Sequence, residues 1–203
     1  MNQLKEQYQE LERHLLRDET PSCYLNEICD TPVFQKNPFD LLNRLRQTKQ
    51  SPKYHPEGSV WNHTLLVVDE AAKRKGKSKD TKVFLWAALL HDVGKPAATR
   101  MRRGRITSYD HEKIGKELAE NFLRTFTQDD RFIQAVTALV RWHMQPLFLV
   151  YDLPYADVEA MKRQTDLYEV ALLGLCDRMG RLHADREKEE HNMELFLRKC
   201  EKD

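Results

Sequence analysis

Glycine is scarce in this chain, with 7 residues in 203, and proline is almost as rare at 8. That scarcity excludes collagen-like, low-complexity and linker-dominated chains. Long apolar runs are missing too. The longest, Val83 to Leu90, is far below the roughly 18–20 residues a spanning helix requires, so no membrane-embedded protein is expected. The N-terminus Met1-Asn2-Gln3-Leu4-Lys5-Glu6 carries neither an apolar signal core nor a cleavage site. The four cysteines, Cys23, Cys29, Cys176 and Cys200, form no C-x-x-C pair and read as reduced thiols. A cytoplasmic protein is the expectation. A net charge of +1 gives no global pull toward nucleic acid or anionic membrane, so nucleic acid is an allowed partner that net charge does not indicate.

What is present is helical periodicity. Leu4, Tyr8, Leu11 and Leu15 form one stripe, and Phe39, Leu42 and Leu45 suggest a short helix. Further helices are predicted from Val60 to Arg74, from an Asp80 cap through Trp86 to His91, from about Asp110 to Phe126, and from Asp129 to about His143. Pro146 should stop the last of these, and Pro154 should open a short helix. Leu167 to Arg181 is apolar enough to be buried, and a charged helix closes the chain from about Asp185. Between Thr99 and Tyr109 the chain reads as a small hairpin turning at Arg103-Gly104. The fold class is therefore all-α with one small β-hairpin near 100–108. Residues 1–51 form a helical extension packed on a domain spanning 52–203.

Six residues stand out against this background. His63, His91, Asp92, His143 and Asp177 lie on or beside apolar helix faces, and His111 opens a helix. Buried ionisable groups cost several kcal/mol unless paired or metal-bound. Imidazole and carboxylate together suit Mn, Fe, Co, Ni or Zn, and the sequence does not separate these from Mg. Structural alternatives stand beside each. His91 and Asp92 could simply terminate a helix, His111 could lie on the surface, and His143 could be a hydrogen-bonded core residue. Lys95 could complement a helix C-terminus. The stretch Arg100, Arg102, Arg103 and Arg105 reads as a solvated hairpin. His14, His55, His183 and His191 show no partner pattern and read as surface or loop residues.

The order His63, His91-Asp92, Asp177, with Gly94-Lys95 directly after the doublet, resembles the HD-domain phosphohydrolase superfamily over roughly Tyr54 to Arg181. The segments from His55 to Leu65, from Ala87 to Pro96, Tyr109-Asp110-His111-Glu112 and Trp142-His143-Met144 look like the HD domain attached to some bacterial CCA-adding tRNA nucleotidyltransferases. The first fifty residues hold no nucleotidyltransferase motif, so a stand-alone HD protein is expected and tRNA processing is not carried over.

The resemblance implies an HD helical bundle. It implies His63, His91 and Asp177 on one divalent metal, His111 and His143 on a second, and Asp92 across both. It implies a metal-dependent phosphohydrolase acting on a nucleotide or another small phosphorylated metabolite. In it Asp92 and Lys95 would be catalytic, and Lys95, Arg178 and Arg181 would be candidates to bind substrate phosphate. Coordination would bring the pKa of a bound water from ~15.7 toward ~7. A di-iron HD-type oxygenase and a non-catalytic nucleotide-binding module are the competing readings. Substrate, metal and oligomeric state are not legible.

Overall fold

The computed structural model describes residues 2–202. The chain folds as an all-α bundle with a single two-stranded hairpin among the described residues. Its centre is α5 (Thr81–Leu90), in which every residue from Val83 to Leu90 is buried. A helix apolar on all sides can only sit inside, and four others enclose it: α1 (Asn2–Arg17), α4 (Val60–Arg74), α8 (Asp130–Trp142) and α11 (Leu167–Met179). The helix α7 (His111–Arg124) pairs with α8, and α12 (Arg186–Lys202) covers α11.

Sequence-encoded caps fix where these helices begin. Ser59 accepts from Asn62 N–H at the start of α4, Asp80 from Val83 N–H at α5, Asp129 from Phe132 N–H at α8, and Asp166 from Glu169 N–H at α11. Each side-chain oxygen satisfies an amide that the helix leaves unbonded, worth about 1 kcal/mol. The stripe of α1 packs on α5. Tyr8 stacks on Trp86 and Phe126 at centroid distances of 4.8 and 4.5 Å, and Trp86 Nε1 donates to Glu12 at 3.0 Å. The first fifty residues therefore share one core with the rest.

The hairpin lies where expected, with β1 (Arg100–Arg102) antiparallel to β2 (Arg105–Thr107). Arg103 and Gly104 both have positive φ, 49° and 73°, as the tight turn of a twisted two-stranded ribbon demands. Pro146 does stop α8, but it also opens α9 (Gln145–Val150). Proline is tolerated in a first helical turn, where its missing N–H has no partner to lose. Pro154 opens nothing. The next helix, α10 (Val158–Lys162), starts later, where Asp157 accepts from Ala160 N–H. Two short helices escape a reading by periodicity because neither is long enough to show one. They are α2 (Ser22–Ile28) and the single turn α6 (Lys95–Ala98); α3 (Asp40–Asn43) is the short helix anticipated around Leu42.

Two glycines allow the helix contacts that matter most. A Cβ on Gly94 would lie 2.0 Å from the His111 carbonyl oxygen and 2.6 Å from Gly115 N, so only glycine lets α6 meet the start of α7. A Cβ on Gly180 would lie 2.5 Å from Val67 Cγ2 and 2.9 Å from Val67 N, where the end of α11 rests on α4.

Gly94→Ala should therefore destabilise the fold by about 1–3 kcal/mol, lowering Tm by roughly 2–12 °C; an unchanged melting curve would contradict this packing. Thiol accessibility gives a second check. Cys23 is exposed, whereas Cys176 is buried and its thiol is pushed up to about 12 by desolvation. A maleimide should label Cys23 in native protein and reach Cys176 only in denaturant.

Candidate metal centre

The two glycine contacts bring distant polar residues together at helix ends. His63 lies in the first turn of α4, His91 follows the last residue of α5, and Asp92 comes next. Lys95 begins α6, His111 begins α7, His143 follows α8, and Asp177 lies near the end of α11. All seven are buried, His63 and His91 completely. The C-terminus of α5 carries a partial negative charge, and the Asp92 carboxylate adds to it at the same place. The combination favours a cation.

Asp92 stands at the middle. Its Oδ2 lies 3.2 Å from His91 Nε2 and 3.9 Å from His63 Nε2, while its Oδ1 lies 3.3 Å from His111 Nε2 and 3.8 Å from His143 Nε2. One carboxylate thus turns one oxygen toward each of two histidine pairs. His63 Nε2 is also 2.9 Å from Asp177 Oδ1. Ligand-type atoms lie within 4.8 Å of one another in the groups His63, His91, Asp92 and Asp92, His111, His143.

Backbone carbonyls aim three of these rings. His91 Nδ1 bonds the Ala88 carbonyl at 2.8 Å, His111 Nδ1 the Ser108 carbonyl at 2.7 Å, and His143 Nδ1 the Val140 carbonyl at 2.8 Å. A carbonyl only accepts, so each Nδ1 donates its proton there and each Nε2 is turned to the centre. His111 Nε2 and His143 Nε2 then face each other at 3.3 Å. Two ring nitrogens at that distance need a proton or a cation between them. His91 Nε2 is buried without a hydrogen-bond partner. Such an orphaned nitrogen is costly unless an ion or proton serves it. The donor set therefore fits divalent metal.

The electrostatics agree. Burial would raise the Asp92 carboxyl, but His91, Lys95 and His111 overcome it and hold the group well below its usual range. For Asp177 burial is likewise overcome, by Arg181 and His63. The pKa of His143 is driven down to about 3 by burial, with His111 and His91 adding to it, so its ring is neutral at cellular pH. On His63, burial favours the neutral ring but Asp177 and Glu57 outweigh it and raise its pKa, so a cation entering there would have to displace a proton.

Lys95 is drawn in as well. Its Nζ lies 2.6 Å from Asp92 Oδ2 and donates to Gln50 Oε1 at 2.6 Å. Arg181 approaches Asp177 Oδ1 at 3.8 Å. Arg178 does not join the group; it pairs with Glu189 of α12 at 3.0 Å.

Three contributors were not foreseen. Glu57 is buried between two imidazoles, 2.8 Å from His55 Nδ1 and 3.0 Å from His63 Nδ1. It touches the side of the His63 ring remote from Asp92, the position of a carboxylate that orients a metal-ligating histidine. His55 is not the free loop residue its isolation in sequence suggested: its side chain is only 11% exposed, and burial above all lowers its pKa to about 4. Gln50 had no signal, since a lone glutamine carries no pattern. A carboxylate six residues before His63 was the one available clue to Glu57.

A helical domain whose buried centre is built from histidines and aspartates at helix ends is a metal-site class of protein. Residues 60–185 match the HD domain family, and the chain belongs to it. Membership places it in the metal-dependent phosphohydrolase superfamily. Similar proteins include the Multifunctional CCA protein of Methylococcus capsulatus, 27% identical over 93% of this chain and 38% of that protein. The Multifunctional CCA protein of Alkalilimnicola ehrlichii is 30% identical over 68% of this chain and 32% of its own length. The A-adding tRNA nucleotidyltransferase of Deinococcus radiodurans is 33% identical over 46% of this chain and 21% of that one. The chain spans about a third of the first two relatives. No helix among the described residues is long and apolar enough to cross a membrane.

Long-range 15N–1H correlation spectra of metal-free protein should show the neutral forms of His91, His111 and His143 as Nδ1–H tautomers; an Nε2–H pattern at His143 would refute the ligand orientation.

Proposed function

We propose that the chain is a divalent-metal-dependent phosphohydrolase acting on a nucleotide or another small phosphorylated metabolite, within an HD domain of residues 52–203 extended by residues 1–51. The observation that carries this reading is the split of Asp92, one oxygen toward His63 and His91 and the other toward His111 and His143. In this reading His63, His91 and Asp177 hold one ion, His111 and His143 hold another, and Asp92 bridges them. When bound, the metal pair supplies an acidified water and charge neutralisation for in-line phosphoryl transfer.

The chain's own groups do the rest. Lys95 presents an ammonium to a non-bridging phosphate oxygen, and Gln50 keeps its Nζ aimed while substrate is absent. Arg181 keeps Asp177 ionised and directed at His63. Burial of the cluster excludes bulk water, which strengthens each of these charges. The name of one similar protein, an A-adding tRNA nucleotidyltransferase, supports a nucleotide-type substrate.

The test is metal-free protein reconstituted separately with Mn, Ni, Co, Fe and Mg, assayed for phosphate release from nucleotides, cyclic nucleotides and aryl phosphate esters. Wild type should hold about two ions per chain and turn over. Asp92→Ala should lose both metal and turnover, and full activity in that variant would end the proposal. Lys95→Ala should keep its metal while kcat/KM falls about 10²-fold. Oxygen uptake by iron-loaded protein with no phosphate release would favour the oxygenase reading instead.

A further inference from the structure

The hairpin is a strongly charged surface that the metal centre does not use. Arg100, Arg102, Arg103 and Arg105 are all exposed, and among the described residues none of them forms an ion pair. The other basic stretch is different: Lys73 pairs with Glu70, Lys75 donates to the Leu16 carbonyl, and Lys79 pairs with Asp166. Asp110, the first acidic residue after the hairpin, is itself paired with Lys113.

Strand register places the charges on one face. Arg100 pairs with Thr107 and Arg102 with Arg105, while Met101 and Ile106 occupy the opposite face. Like charges directly across an antiparallel pair destabilise it. The ribbon keeps two guanidiniums in that position, a cost that a bound polyanion removes. The Arg102 guanidinium also lies over the exposed Tyr109 ring, 5.2 Å from its centroid. Arg102, Arg103, Arg105, Thr107 and Tyr109 together line a concavity of about 660 Å³.

Both roots of the hairpin are tied to the metal centre. At one root Thr99 Oγ1 donates to the Lys95 carbonyl at 2.7 Å. At the other the Ser108 carbonyl accepts from His111 Nδ1 at 2.7 Å, and Thr99 and Ser108 share a hydroxyl hydrogen bond at 2.8 Å.

We propose that this arginine ribbon, with Tyr109, is a binding arm for single-stranded nucleic acid beside the metal centre. The arginines track consecutive phosphates and Tyr109 offers a stacking face to an unpaired base, the combination by which single strands are held without reading sequence. A duplex hides the base faces that Tyr109 would use. An anionic membrane surface would gain little here, where Met101 is the one strongly exposed aliphatic side chain of the ribbon.

The experiment is fluorescence anisotropy of a fluorescein-labelled twelve-nucleotide uridine RNA against full-length protein in EDTA, so that the outcome does not depend on the hydrolase reading. Binding should weaken with salt at a log–log slope of about −2 to −3, from about −0.7 for each of three to four phosphates. The combined variant Arg102→Gln, Arg103→Gln, Arg105→Gln should lose roughly tenfold or more in affinity and flatten that slope. Tyr109→Ala should lose about fivefold with the slope unchanged. The charge-matched control Lys73→Gln, Lys77→Gln, Lys79→Gln should bind as wild type, and circular dichroism should show all variants folded. The proposal is overturned if the arginine variant binds like wild type or if the lysine control loses as much. Stronger binding to phosphatidylserine vesicles or to an RNA duplex than to the single strand would overturn it too.

Discussion

A single carboxylate, that of Asp92, holds the site together. It is buried and charged, which would be prohibitive without compensation. His91, Lys95 and His111 supply that compensation from three directions. Removing one partner of such a cluster is costly because the remaining charge stays desolvated. The architecture around it can be read as a means of keeping these partners in reach. A wholly apolar α5 anchors the doublet in the core, and its neighbours are allowed close enough to answer it only where glycine removes a side chain.

The histidines add a second layer of constraint. Each of His91, His111 and His143 is fixed by a carbonyl three residues earlier, so ring orientation is set by local backbone rather than by long-range contacts. His63 is the exception, and there Glu57 supplies from outside the helix what the backbone supplies elsewhere. Preorganisation of this kind reduces the entropy lost when a ligand closes around its ion.

Much of this was legible in the chain. The long helices announce themselves through period, and Asp80 caps α5 as its sequence context implies; Ser59 and Asp129 prove to do the same for α4 and α8. The hairpin follows from Arg103-Gly104 between short extended runs. Five of the six ligand-type residues were recognisable because apolar helix faces seldom tolerate them, and His111, which opens a helix, through the family likeness. What was not legible depends on distance in three dimensions. Nothing in the sequence joins Gln50 to Lys95, forty-five positions apart. Nor does sequence turn Arg178 toward Glu189 rather than inward. Pro146 shows the other limit, since one residue type serves equally to end one helix and to begin another.

The contact between Gln50 and Lys95 has a consequence for how the molecule can be divided. Gln50 sits just outside the stretch matched by the HD family, which begins at residue 60, yet its amide oxygen is one of two acceptors on the buried ammonium. Cut away the leading segment and the lysine would lose that acceptor, leaving it more closely committed to Asp92. The boundary suggested by family likeness is thus not a chemical boundary: the charge balance of the buried cluster extends across it.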